Sequence, residues 1–126
     1  MKTISLWQPY AQLIIEGIKK VETRSWPTKV NGRIAIHAAK RKPDEVFSVL
    51  LGKQIPLGAI IGTVDLINCV PIENLYGSLY DTPQERLYGD WRKGRYGWLL
   101  SNVIAFNNPV NINGHQEFWN WDENTY

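Results

Sequence analysis

The stretch GAIIGTVDLINCV, residues 58–70, is the longest β-type run in the chain and decides the predicted fold. Its apolar residues are dense enough for a strand that is buried on both faces. Gly62 lies inside the run, where a glycine indicates a bend or a bulge, and a small closed barrel needs such bends. The stretch therefore predicts a curved sheet.

Shorter elements are predicted on either side of this strand. Further strands are expected at residues 2–6, 19–25, 33–38 and 95–106. Pro9 suits the first turn of a short helix that Gly17 ends, and a second helix is expected over residues 43–51. Residues 71–94 predict an irregular excursion, residues 107–114 a loop, and residues 117–121 a short helical turn that docks aromatic side chains. The sum is an α+β fold with a small, mostly antiparallel sheet and two or three short helices.

Length and composition predict one domain over residues 1–126. The chain is 44% hydrophobic and 21% charged, which is typical of a globular domain with a single core. No apolar run is long enough to span a bilayer, and the first residues lack the layout of a secretory signal. We therefore expect a cytoplasmic protein, a monomer, with no membrane partner. Cys69 is the only cysteine, and we predict neither a metal site nor a cofactor.

The charges are unevenly distributed along the chain. Residues 1–53 carry a net charge of +6 and residues 54–126 a net charge of −4. One interpretation is a polarised surface whose basic side meets phosphate. The other is that the two halves fold together and the charges intersperse.

The stretch GIKKVETRSW, residues 17–26, holds the main candidate site. A strand places Lys20, Glu22, Arg24 and Trp26 on one face and Val21 and Thr23 on the other. Lys19 follows the helix end directly, where the chain can turn it toward the same cavity. Together these residues supply a point charge, an acceptor and a fork-shaped donor, which suits a polar ligand. The alternative is a solvent-facing strand edge on which Glu22 bridges its neighbours.

Residues outside this stretch also qualify for the site. Trp7 and Gln8 precede the first helix, where Trp7 can stack a base and Gln8 can read its edge; alternatively, Trp7 is core and Gln8 caps the turn. His37 shares a strand face with Arg33 and Ala35, and Lys40 follows closely. The other interpretation of His37 is a half-buried histidine whose hydrogen bonds are satisfied.

The stretch YGDWRKGRYGW, residues 88–98, is a second polar and aromatic cluster. Alternating basic and aromatic residues suit single-stranded nucleic acid, in which rings stack on bases and cations follow phosphates. They also suit a soluble loop. If the excursion folds over the cleft, Asp90 or Tyr96 can complete the site.

The segment SLWQPYAQLIIEGIKKVETRSW, residues 5–26, resembles the opening of an ASCH domain, a group related to PUA domains. The signature of that family is G-x-K-x-x-E-x-R, matched here by Gly17, Lys19, Glu22 and Arg24. GRIAIHAAK, PLGAIIGTVDLINC, RYGWLLSNV and PVNINGHQEFWNW follow in the order that the family shows. The resemblance implies a PUA-like β-barrel with a cleft beside the first helix, lined by the signature residues.

The resemblance also implies a partner, because the family is associated with RNA or other nucleic acids. We expect RNA, or a modified nucleoside or nucleotide, to bind at Trp7, Gln8, Lys19, Glu22, Arg24, His37, Lys40 and Tyr96. One branch of similar fold deacylates N4-acetylcytidine with a lysine, a threonine and a glutamate. Its lysine falls on Lys19, but Glu22 occupies the threonine position. The alternatives are therefore a hydrolase acting on a modified nucleoside or on RNA, with Lys19 and Glu22 as catalytic residues, and a protein-interaction module whose cleft is closed.

Overall fold

The structure is a computed structural model that describes residues 1–41 and 55–125. In these ranges the strands are β1 (Lys2–Leu6), β2 (Val21–Arg24), β3 (Gly32–Ala38), β4 (Ala59–Pro71), β5 (Tyr96–Asn111) and β6 (Phe118–Asn120). The helices are α1 (Tyr10–Ile15) and α2 (Pro83–Tyr88), with 3₁₀ turns at Ile72–Leu75 and Glu123–Thr125. No helix in the described ranges is long and apolar enough to cross a membrane. The helix expected over residues 43–51 lies outside the described residues.

The six strands form one curled sheet in the order β2-β5-β4-β3-β1-β6. Every pairing is antiparallel except that of β1 with β3. The pairing of β4 with β5 shifts register between Ile60 and Gly62, so the bulge predicted at Gly62 is confirmed. A Cβ atom at Gly62 would lie 2.5 Å from the carbonyl oxygen of Ile104, and this close approach requires glycine. The sheet is a half-barrel, and the predicted small, mostly antiparallel barrel fold is confirmed.

The main core fills the inside of the half-barrel. Alternate residues of the strands point inward, and α1 covers them with Ala11, Ile14 and Ile15. The inward residues of the strands are Ile4, Leu6, Ile34, Ile36, Ala38, Ala59, Ile61, Val64, Leu66, Trp98 and Leu100. The helix ends as predicted at Gly17, whose φ of 76° is favourable for glycine.

Aromatic side chains bridge the two edges of the sheet. β2 and β6 stand at opposite ends of the strand order. Trp98 stacks on Phe118 of β6 with ring centroids 5.3 Å apart, and Trp26, just after β2, meets Trp98 edge-on at 4.9 Å. Apolar packing therefore joins the edges at this position.

The excursion over residues 71–94 is more regular than predicted, since it contains a 3₁₀ turn and α2. Glu85 of α2 is buried, and its carboxylate accepts the backbone N–H groups of Lys20 at 2.7 Å and Val21 at 3.3 Å. β2 begins at Val21, two residues later than predicted, and Glu85 binds the backbone at this start of the strand. A second core then packs between the excursion and the sheet, formed by Val21, Ile72, Leu75, Trp91 and Leu99.

Two predictions for the C-terminal region are wrong. The expected loop over residues 107–114 begins later, because β5 runs to Asn111 and pairs with β4. The expected helical turn over residues 117–121 is instead β6, which pairs with β1. Trp119 and Trp121 alternate with Asn120, and this period of two buries both indoles on the outer face of the sheet beside Ala35 and Ile60. The predicted structural roles of Trp98, Trp119 and Trp121 are confirmed.

We expect Gly62→Ala to lower the free energy of unfolding by about 1–3 kcal/mol, because the new methyl group would overlap the β5 backbone. Urea unfolding followed by tryptophan fluorescence measures the change. Asn107→Ala, an exposed substitution on β5, is the control and should change stability by no more than about 0.5 kcal/mol. Equal stability of the two variants would contradict the close approach.

Candidate ligand-binding cleft at the sheet seam

A cleft of about 760 Å³ lies between the β2 edge and the end of β1. Its floor is formed by residues 22–24 and Trp26, and one wall by residues 5–7 together with Tyr10. Residues 87–90 and Arg95 form the opposite wall, and residues 115–117 close a third side. The cleft is therefore assembled from segments far apart in the sequence, around the strand that carries the signature motif.

Three charged groups, those of Lys19, Glu22 and Arg24, lie in a row at the floor of the cleft, with Lys19 beneath it. The side chain of Lys19 is only 1% exposed; its ammonium group donates to the carbonyl of Val21 and lies 3.5 Å from Glu22 Oε1. The other oxygen of Glu22 lies 3.6 Å from the Arg24 guanidinium. One carboxylate thus serves two cations, and the group as a whole retains one positive charge.

Aromatic rings hold Arg24 in place, and among the described residues its hydrogen-bond donors stay unused. Its guanidinium lies over the rings of Trp26, at 5.4 Å, and Trp98, at 5.9 Å. The side chain is 25% exposed and lines the cleft. Within the described part of the chain, Arg24 donates no side-chain hydrogen bond. Its planar, fork-shaped donor set is therefore positioned by aromatic contacts and remains available to a ligand.

The excursion supplies the wall opposite α1. The backbone N–H of Asp90 donates to Thr23 Oγ1 at 2.9 Å, and Arg95 bridges to the carbonyls of Asp90 at 3.2 Å and Thr23 at 3.4 Å. Hydrogen bonds from Arg92 lower the pKa of Asp90 to about 2, so Asp90 stays ionised and forms ion pairs with Arg92 and Arg95. The predicted contribution of Asp90 fits this placement. Thr23 borders the cleft because the excursion wraps onto its side of β2.

A strap over residues 112–117 forms the third side. His37 Nε2 lies 2.7 Å from the carbonyl of Ile112, and because a carbonyl only accepts, this nitrogen carries the proton. His37 Nδ1 then accepts from the Ser5 hydroxyl at 3.0 Å. Lys40 donates to Asn113 at 2.7 Å. Both predicted residues therefore anchor the strap from behind and do not line the cleft.

The structure brings together only part of the predicted site. Trp7, Glu22 and Arg24 line the cleft, with Lys19 buried behind Glu22. Gln8 is buried: its side chain accepts from the N–H of Gln12 at 2.8 Å and donates to the carbonyl of Pro56 at 2.9 Å, so it follows the capping interpretation. Tyr96 packs against the main core and does not line the cleft. A catalytic role for Lys19 and Glu22 stays a prediction.

No local sequence pattern marks the cleft residues that come from distant segments, such as Tyr10, Leu87, Tyr88 and Gln116. One signal was available for the excursion. Thr82-Pro83-Gln84-Glu85 has the spacing of a helix capping box, and Thr82 does accept from the N–H of Glu85 at 3.1 Å. That spacing predicts a helix at this position. It does not predict the docking of Glu85 on β2, because that contact is long-range.

The half-barrel and the charged cleft at its seam define a small PUA-like domain with a ligand-sized site. The chain belongs to the ASCH domain family, whose model matches residues 4–110. That family is associated with RNA binding.

Curated relatives and solved structures agree with this assignment. The chain is 34% identical over 133 residues to Activating signal cointegrator 1 of Mus musculus, covering 94% of this chain and 22% of that protein. The human protein of the same name is 35% identical over 96 residues, covering 65% of this chain and 16% of that protein. The chain thus spans about a fifth of the length of these relatives. The crystal structure of ASCH from Zymomonas mobilis aligns with a TM-score of 0.56 at 24% identity, covering 87% of this chain and 72% of that one, and it supports the fold.

We expect Glu22→Gln to lower the free energy of unfolding by about 3 kcal/mol, because it leaves the buried Lys19 ammonium without a counter-charge. In a Lys19→Met background the same substitution should cost less than about 1 kcal/mol. Urea unfolding of the parent, the two single variants and the double variant gives the coupling free energy between Lys19 and Glu22. Additive effects would contradict the pairing of Lys19 with Glu22.

The strap predicts a pH dependence of stability. Burial lowers the pKa of His37, with smaller contributions from His115 and Lys40, so the unfolded chain binds the proton more readily than the folded one. The stability due to neutral His37 is fully present above about pH 6.5 and is lost as pH falls through the lowered pKa. In thermal unfolding at stepped pH, His37→Asn should therefore show a smaller loss below that pH than the parent. His115→Asn is the control and should keep most of the loss; identical curves for the parent and His37→Asn would contradict this assignment.

Proposed function

We propose that the cleft binds RNA or a nucleotide-like ligand, with Arg24 as the principal contact. The observation that carries this proposal is the state of Arg24. Its guanidinium is fixed by Glu22 and two tryptophan rings, while within the described residues its N–H groups donate no hydrogen bond. A donor set held in this way suits a bidentate contact to a phosphate or to a base carbonyl.

The charges of the floor favour an anion at this position. Lys19 and Arg24 outweigh Glu22 by one positive charge, and the buried position of Lys19 limits screening by solvent. The donors of Lys19 are directed at Val21 and Glu22, so its contribution is a positive potential beneath the ligand. Arg24 makes the direct contact.

The size and the aromatic lining of the cleft suit a nucleotide. Its volume of about 760 Å³ lies in the range of small-molecule sites. Tyr10 and Trp26 line the interior and offer rings against which an unpaired base can stack. Aromatic rings beside a fixed arginine are the usual means of holding single-stranded nucleic acid.

The placement of Lys19 favours binding over hydrolysis. A lysine base must reach the proton that it removes, whereas the Lys19 ammonium donates to a backbone carbonyl and does not line the cleft. The predicted monomeric state and cytoplasmic location are parts of this proposal.

We expect Arg24→Ala to weaken the binding of a fluorescein-labelled single-stranded RNA by roughly 5- to 150-fold in fluorescence anisotropy. The plot of log affinity against log salt should lose about one unit of slope, since one phosphate contact disappears. Arg24→Lys should restore the charge but only part of the affinity, because the ammonium cannot make the bidentate contact.

Arg33→Ala is the matched control. Arg33 is a partly exposed arginine that pairs with Asp65 at 3.5 Å and does not line the cleft. It should bind RNA like the parent. Equal losses in Arg24→Ala and Arg33→Ala would mean that the cleft is not the binding site.

A further inference from the structure

Trp7 presents a large aromatic surface to solvent at the mouth of the cleft. Its residue is 56% exposed, and it belongs to none of the hydrophobic clusters of the described chain. The Arg41 guanidinium lies over the ring, 3.7 Å from its centroid. An exposed indole covered by a planar cation is a feature that core packing does not explain.

The backbone at Trp7 is fixed independently of its side chain. The neighbouring Gln8 is buried and bonded to Pro56 and Gln12, and the carbonyl of Trp7 accepts the N–H of Ala11 at 3.2 Å. The turn into α1 therefore does not depend on the indole. The ring stands on a rigid support at the rim of a site that already contains Arg24.

We infer that Trp7 and Arg41 form a second subsite, which stacks the base next to the nucleotide in the cleft and binds the phosphate that joins the two. This inference rests on the proposed function. Within the described chain Arg41 forms no ion pair, and its ring contact leaves its N–H edge available to a phosphate. Lys40 is less suited to this phosphate contact, because its ammonium group already donates a hydrogen bond to Asn113. The ligand is therefore a strand of at least two nucleotides.

The same geometry selects a single strand over a duplex. Stacking on Trp7 requires a base that is free on one face, and the bases inside a duplex are stacked on both. Unpaired RNA offers such a base, so we expect it to bind more tightly than a duplex.

The test compares ligands of increasing length by isothermal titration calorimetry. Adenosine monophosphate, the 5′-phosphorylated dinucleotide pApA, a 16-nucleotide RNA and its blunt 16-base-pair duplex are titrated into the parent protein. The parent should bind pApA about tenfold tighter than adenosine monophosphate, because pApA adds one base and one phosphate, and it should bind the single strand tighter than the duplex. Trp7→Leu and Arg41→Gln should each remove most of the gain from the second nucleotide, and Trp7→Phe should restore much of it.

Two controls separate the subsite from general effects. Leu79→Ala removes a fully exposed apolar side chain away from the cleft, and Arg33→Gln removes another arginine charge; both should keep the tenfold gain. Circular dichroism shows that each variant is folded. If pApA binds no tighter than adenosine monophosphate, or if the gain survives in Trp7→Leu, the second subsite is refuted while the proposed function stands. If the parent binds none of the four ligands, both proposals are refuted.

Discussion

A buried ammonium group sets the constraint on which the site depends. Lys19 is almost fully enclosed, and an enclosed cation is stable only beside a counter-charge and with its donors satisfied. Glu22 and the carbonyl of Val21 meet this need. The second oxygen of Glu22 then faces Arg24 and fixes the guanidinium against two indole rings. The spacing of Lys19, Glu22 and Arg24 in the signature motif therefore lets the single carboxylate of Glu22 face both cations.

The open seam of the half-barrel gives this charged group access to a ligand. β2 and β6 are the sheet edges, and packing of Trp26 and Trp98 on Phe118 joins them at one position while a cleft remains beside it. Segments outside the sheet complete the walls. Glu85 fixes the excursion to β2, and His37 of β3 fixes the strap. In each case a buried polar side chain bonds to backbone groups of a distant segment.

The sequence predicted those features that local pattern determines. The bulge at Gly62 and the end of α1 at Gly17 follow from glycine chemistry, and the motif residues of β2 are neighbours in the chain. The contacts of Gln8 and Glu85 span 48 and 65 residues, and no local pattern reports them. For the same reason the local pattern of residues 117–121 predicts a helical turn, since only the pairing with β1 distinguishes a strand from a turn there.

The central claim is that Arg24, held by Glu22 at the seam, contacts RNA. The most direct measurement is a nuclear magnetic resonance titration that follows the Nε–H of Arg24 and the indole N–H of Trp26 as a single-stranded RNA is added. Binding in the cleft predicts that both signals shift and saturate together, while the Nε–H of Arg33 stays in place. Shifts confined to other surfaces, such as the groove lined by Ile18 and Leu79, would contradict the claim.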